Sequence, residues 1–345
     1  MAGHHRRGAC RVDAIGRRPY PGSPDDTIFV GTGSAAKPHE GGYEAFGPNG
    51  TLKWSVSVHN PGATYVSAVV ASLAVGDLQG GLDVVGPSVG QNQDAINAIT
   101  GTVLPGFPWF QGDGDYATPA LADLYGTGKL EIVNGGGQTA GLAYNTHYIQ
   151  GGHVRVLSRT GNEGYRQPNG GLICEYKPDE SVESSPAVGP FLADGKEGIA
   201  VGTGNYQHGG GSVYALNGAT GAVMWRQSAL GAVIGGVVTA DLGSGYQDVI
   251  VASTGGAQVL DGKTGAVLAI LERGVGLQNC ALVTADPNGS IGVTLAGYGP
   301  TDGGVVQHYE LVGSSGAVVA EAGAWPMFHH DPYLSGNAQE KSPRG

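Results

Sequence analysis

Residues 185–225 read SPAVGPFLADGKEGIAVGTGNYQHGGGSVYALNGATGAVMW, and this run decides the fold. Four short stretches, 185–192, 198–204, 212–217 and 222–225, are rich in Val, Ala, Ile and Leu. Asp194-Gly195-Lys196-Glu197, the loop from Asn205 to Gly211, and Ala219-Thr220-Gly221 separate them. Short β-branched runs punctuated by Gly, Asp and Asn predict four antiparallel strands joined by tight turns. The last turn recurs along the chain as Asn49-Gly50, Thr100-Gly101, Thr160-Gly161, Thr220-Gly221, Thr264-Gly265 and Ser315-Gly316. Its glycines stand 51, 60, 60, 44 and 51 residues apart. The first stretch recurs too, closing on Asp77, Asp123, Asp194, Asp241 and Asp286.

A four-stranded unit of this length is what one sector of a radial β assembly requires. The chain therefore reads as all-β: a single β-propeller over residues 23–335, of six four-stranded blades, with seven the alternative. Residues 336–345 read as a flexible tail. Residues 1–22 carry Arg6, Arg7, Arg11, Arg17 and Arg18 without strand alternation, and read as a disordered or misassigned N-terminal segment. The first blade begins at Thr27-Ile28-Phe29-Val30, which matches a second strand. Its innermost strand is expected to be missing or degenerate within residues 10–22, and the segment Trp325-Pro326-Met327-Phe328 is one way to complete the ring.

Composition narrows the function classes. The 64 glycines suit many tight turns, and the net charge of -11 argues against a nucleic-acid surface. No stretch reaches the roughly 18 apolar residues of a membrane-spanning helix. Cys10, Cys174 and Cys280 lack metal-ligand spacing. Few Lys and Cys suit an extracellular or periplasmic protein, although no signal peptide stands in this chain.

Two related repeat families are resembled. Val213-Tyr214-Ala215-Leu216 followed by Ala219-Thr220-Gly221-Ala222-Val223-Met224-Trp225 looks like the outer half of a pyrroloquinoline-quinone (PQQ)-like repeat. The run from Ala122-Asp123-Leu124 to Glu131-Ile132-Val133 looks like the FG-GAP (VCBS) repeat of integrin-α-like propellers. Trp325-Pro326-Met327-Phe328-His329-His330-Asp331 is similar to a tag that flanks bacterial secreted propellers. The FG-GAP resemblance implies Ca²⁺ in the first turn of each blade, with Asp77, Asp83, Asp123, Asp241 and Asp248 as candidates. Each of these loops offers one or two carboxylates where Ca²⁺ takes six to eight oxygens, so each Asp reads first as a turn cap. The PQQ resemblance implies a quinone-dependent dehydrogenase. The chain has no adjacent cysteine pair of the sort some of those enzymes use, and PQQ is not the cofactor expected here.

The loop between second and third strands carries a His ahead of a Gly-Gly pair in three blades: His39, His147 and His208, accompanied by Tyr144, Tyr148 and Tyr206. Equivalent loops project from one face, so this rim is the expected ligand face. Trp54, Trp109 and Trp225 read as packing between blades, not as sugar platforms. These readings together describe a non-catalytic binding or interaction module, with carbohydrate or protein as partner. The alternatives are an enzyme on the same scaffold, quinone-dependent or polysaccharide-degrading, and a structural domain of a larger secreted protein.

Overall fold

Strand pairing follows the turn chemistry closely enough that each repeat becomes one antiparallel sheet. The computed structural model describes residues 15–17, 27–34, 41–58, 67–111, 114–137, 151–161, 171–192, 195–205, 209–286, 288–299, 303–311, 324–331 and 334–339. Six sheets of three or four strands are found, and no helix among the described residues. Accordingly, none is long and apolar enough to cross a membrane.

Sheet one holds β1 (Ile15–Arg17), β2 (Thr27–Gly33), β3 (Gly41–Phe46) and β4 (Leu52–Ser57). Sheet two holds β5 (Ala74–Asp77), β6 (Leu82–Pro87), β7 (Asn92–Asn97) and β8 (Trp109–Phe110). Sheet three holds β9 (Ala120–Ala122), β10 (Glu131–Gly137), β11 (Gly152–Leu157) and β12 (Leu172–Tyr176). Sheet four holds β13 (Ala187–Gly189), β14 (Gly198–Gly202), β15 (Ser212–Asn217) and β16 (Val223–Ser228). Sheet five holds β17 (Val237–Asp241), β18 (Gln247–Ser253), β19 (Gly256–Leu260) and β20 (Val267–Arg273). Sheet six holds β21 (Leu282–Ala285), β22 (Ile291–Tyr298) and β23 (Gly304–Leu311).

One expectation changes. Residues 10–22 do supply an inner strand, because β1 pairs with β2 through Ile15–Phe29, Gly16–Ile28 and Arg17–Thr27. Three residues suffice, as they do in β9 and β13. Sheet six has three described strands, and the fourth, expected after Ser315-Gly316, lies outside the described residues.

The recurrent turn explains the repeat. Asn97, Asn217 and Asp261 each aim a side-chain oxygen back at two main-chain N–H groups, those of Ile99 and Thr100, Ala219 and Thr220, and Lys263 and Thr264. Such a side chain replaces the backbone partner that a tight turn lacks. The following Gly101 and Gly265 have φ of 71° and 73°. A Cβ there would stand 2.8 Å from the Trp54 ring and 2.7 Å from the Trp225 ring. Each indole of the preceding sheet sits on the turn and donates Nε1–H to it, Trp54 to the carbonyl of Ala98 at 2.9 Å and Trp225 to that of Gly262 at 2.8 Å. Burial follows: β18 is buried throughout, while β4 and β16 bury fully only Trp54 and Trp225. Apolar clusters join sheet one to two, two to three, three to four to five, and five to six.

The C-terminal segment runs along the inner strands. Trp325 exchanges both main-chain hydrogen bonds with Thr239 of β17, and Val283 of β21 donates to the carbonyl of Pro326. Further on, Val75 of β5 donates to Ser335, Leu121 of β9 donates to Gly336, and Ala338 donates back to Leu121. Trp325, Asp331, Ser335 and Asn337 are buried.

Sheets one and two also share a buried polar pair. The Tyr43 hydroxyl lies 2.9 Å from both the Gly86 carbonyl and Asp94 Oδ2. Burial lifts the Asp94 pKa from 3.8 to about 7, against the lowering effect of the Tyr43 hydrogen bond. A protonated Asp94 donates to Tyr43, which then donates onward to Gly86; an ionised Asp94 competes with Gly86 for one hydroxyl hydrogen. Because the folded pKa lies above the unfolded one, this stabilisation is complete below about pH 4 and is lost as pH rises through about 7. Between pH 5 and pH 8 Asp94 is expected to remove about 2–3 kcal/mol. Urea unfolding of Asp94→Asn across that range should show a visibly flatter profile.

Candidate functional site

The first turns of sheets two, three and five hold the carboxylates considered for Ca²⁺. Asp77 Oδ1 accepts from the N–H groups of Gly80 and Gly81 at 2.8 and 3.2 Å. Asp83 Oδ2 accepts from Leu78 and Gln79 at 3.1 and 3.2 Å. Asp123 takes Thr127 on one oxygen and Gly128 on the other. Asp241 Oδ1 accepts from Gly243 and Gly245. Asp248 bonds the backbone at Leu242 and Gly262. Burial, with nearby carboxylates adding to it, pushes Asp83 and Asp248 up to about 6. Among the described residues no three His, Cys, Asp or Glu side chains converge on one point. Most of these oxygens are spent on their own turns, as in a turn cap, while Asp248 Oδ1 is buried without a hydrogen-bond partner.

At that same end, between the turns of sheets two and three, lies a cavity of about 550 Å³. Asp77, Leu78 and Leu82 form one wall, Asp123, Lys129 and Leu130 another, and Arg159, Asn337 and Gln339 complete it. Arg159 is fixed from both sides: Nη1 donates to the Leu78 carbonyl at 2.7 Å, and its own carbonyl accepts from Gln79 Nε2 at 2.9 Å. Its charge also holds down the Glu131 carboxyl, whose pKa burial raises. Asn337 Nδ2 reaches the Val75 carbonyl, and Asn337 Oδ1 caps the N–H of Gln339. Among the described residues no aromatic side chain lines the cavity.

The opposite end of the same two sheets carries a buried polar cluster, where β10 ends and β11 begins. His153 Nε2 stands 3.8 Å from Asp115 Oδ1 and 3.4 Å from Arg155 Nη1. Burial, reinforced by the Arg155 cation, holds the His153 pKa well below its ordinary range, so the imidazole is neutral. Arg155 pairs with Glu175 at 2.7 Å, covers the Trp109 ring at 5.2 Å and donates to the Gln111 carbonyl. Gly136 makes room, since a Cβ there would meet Asp115 Oδ1 at 1.7 Å. The Gln111 amide is buried with neither its oxygen nor its nitrogen bonded among the described residues.

The expected rim residues His39, Tyr144, His147, Tyr148, Tyr206 and His208 lie outside the described residues. The cavity stands at the other end of the strands. Its basic residues, Lys129 and Arg159, carry no sequence signal, because they lie on separate turns that only sheet packing brings together. A Thr294–His308–Asp286 chain, with both contacts at 2.9 Å, is a hydroxyl–imidazole–carboxylate array among the described residues. It crosses sheet six with His308 about half exposed, and borders none of the cavity residues.

No family model and no curated protein matches the chain in sequence. Solved structures match in fold. The quinohemoprotein alcohol dehydrogenase from Comamonas testosteroni is 14% identical with a TM-score of 0.58, over 84% of this chain and 59% of that one. The exotype rhamnogalacturonan lyase YesX is 15% identical with a TM-score of 0.54, over 88% of this chain and 56% of that one. The C-terminal WD40 domain of Sif2 is 15% identical with a TM-score of 0.50, over 86% of this chain and 70% of that one. The chain thus spans under two thirds of the length of the two enzymes named here. Likeness at these identities establishes a β-propeller fold, and that fold serves dehydrogenases, lyases and WD40 domains alike.

Proposed function

We propose that this chain is a six-bladed, non-catalytic binding propeller of an exported protein, which takes a carbohydrate ligand in the cavity between sheets two and three. The cavity itself carries the reading: about 550 Å³ is the size of a small-ligand cleft, and its wall mixes fixed polar groups with Leu78, Leu82 and Leu130. Its two aspartates are engaged as acceptors for their own turns, which leaves them poor bases. A protein ligand is the other outcome, and the WD40 likeness in fold is its support.

A glycan array tests the reading. Binding to at least one saccharide, abolished by Gln339→Trp at the cavity wall, is expected. An array without signal, alongside capture of a defined protein partner, would move the function to protein recognition. A dye-linked turnover on adding PQQ and Ca²⁺ would move it to the quinone enzymes. Added Ca²⁺ alone is expected to leave the thermal midpoint where it was; a rise of several degrees would reinstate Asp77, Asp83, Asp123, Asp241 and Asp248 as ligands.

A further inference from the structure

Cations are scarce in this protein, 18 Lys and Arg against 29 Asp and Glu. Two of them, Lys129 and Arg159, nonetheless stand in the wall of one cavity; neither lies within ion-pair distance of an acid among the described residues, Arg159 acting on Glu131 only at longer range. We propose that they recognise the carboxylate of an acidic sugar, a uronate unit of an oligosaccharide. This inference rests on the carbohydrate reading of the same cavity and names its ligand class.

Arg159 is already oriented. One Nη1 hydrogen is committed to Leu78 and its main chain is held by Gln79, so the guanidinium loses little freedom when a carboxylate binds. The planar fork accepts a carboxylate through two parallel N–H donors, and the Lys129 ammonium adds a charge that needs no fixed direction. Asp77 and Asp123 would oppose an anion if bare. Each takes two main-chain N–H donors instead, which offset its charge while leaving lone pairs for sugar hydroxyls.

Two other ligands fit less well. A neutral sugar ordinarily rests a ring face on an aromatic plane, and among the described residues none borders the cavity. An acidic peptide would seek main-chain partners on a strand edge. The nearby edges of β5 and β9 are already bonded to Ser335, Gly336 and Ala338.

The test is calorimetric titration of the full chain with galacturonate, glucuronate and mannuronate trimers, each beside its methyl ester. At least one acid should bind, with its ester weaker by about tenfold or more, and added salt should weaken the acid alone. Lys129→Gln and Arg159→Gln should each lower acid affinity by about tenfold; Lys129→Gln should leave the ligand-free melting temperature in place, Arg159→Gln should lower it slightly because the Leu78 carbonyl loses its donor, and Arg159→Lys should recover part of the affinity. Equal binding of acid and ester, indifferent to both variants, overturns the uronate inference and leaves the cavity reading in place if Gln339→Trp abolishes both. No binding by any acid also overturns it, and the glycan array then decides whether the carbohydrate reading falls as well.

Discussion

A chain ending at residue 323 is expected to lose its cooperative unfolding transition. The removed segment supplies partners for the N–H groups of Val75, Leu121, Thr239 and Val283, all in residues 3% exposed or less. A buried donor left without a partner costs about 1–3 kcal/mol. Four of them, with the buried Trp325 surface added, approach the roughly 5–15 kcal/mol that holds an ordinary domain together. Near-ultraviolet circular dichroism on heating is the measurement; a sharp transition at the full-length midpoint would show the segment to be dispensable. Trp325→Ala separates packing from main-chain contact. It should unfold in one step, destabilised by about 3–5 kcal/mol.

Trp225→Ala is expected to cost about 3–5 kcal/mol, the usual range for removing a buried indole. Its ring covers the turn of the next sheet, at Gly265, and its Nε1–H satisfies the Gly262 carbonyl. Trp225→Phe keeps much of the covering surface and loses that hydrogen bond, so about 1–2 kcal/mol is expected. Met224, next to it and about half exposed, is the internal control, and Met224→Ala should change stability by under about 0.5 kcal/mol. Urea titrations with unchanged slope would check the series. A Trp225→Ala loss no larger than that of Met224→Ala would mean that the sheets are not joined through these turns.

The parts of the fold that were legible before the structure are those written in short-range chemistry. Asn97, Asn217 and Asp261 bond groups two and three residues away, so the sequence around each displays the complete device. Asp77, Asp123 and Asp241 likewise cap their own turns through groups two to five residues away. The joint between sheets three and four was not legible. There Cys174 takes the place held elsewhere by Trp, its Sγ 3.3 Å from where a Cβ of Gly221 would be. The small strand at Ile15–Arg17 was hidden by the basic residues around it. The candidate site was hardly legible at all. Lys129 and Arg159 belong to different turns, and Asn337 reaches the cavity only because the C-terminal segment returns to β5. The histidine-bearing loops, by contrast, were conspicuous in sequence and lie outside the described residues.

The hydrogen bond from Asn337 to Val75 spans 262 residues. A ribosome making this protein releases β5 and β9 long before it can release their inner partner. Sheets two and three must therefore wait through the synthesis of three more sheets with main-chain donors uncovered, a state open to wrong strand pairing. The finishing step belongs to a segment made after all six sheets, so nascent chains stalled within sheet six should be protease-sensitive throughout, not merely at their unfinished end.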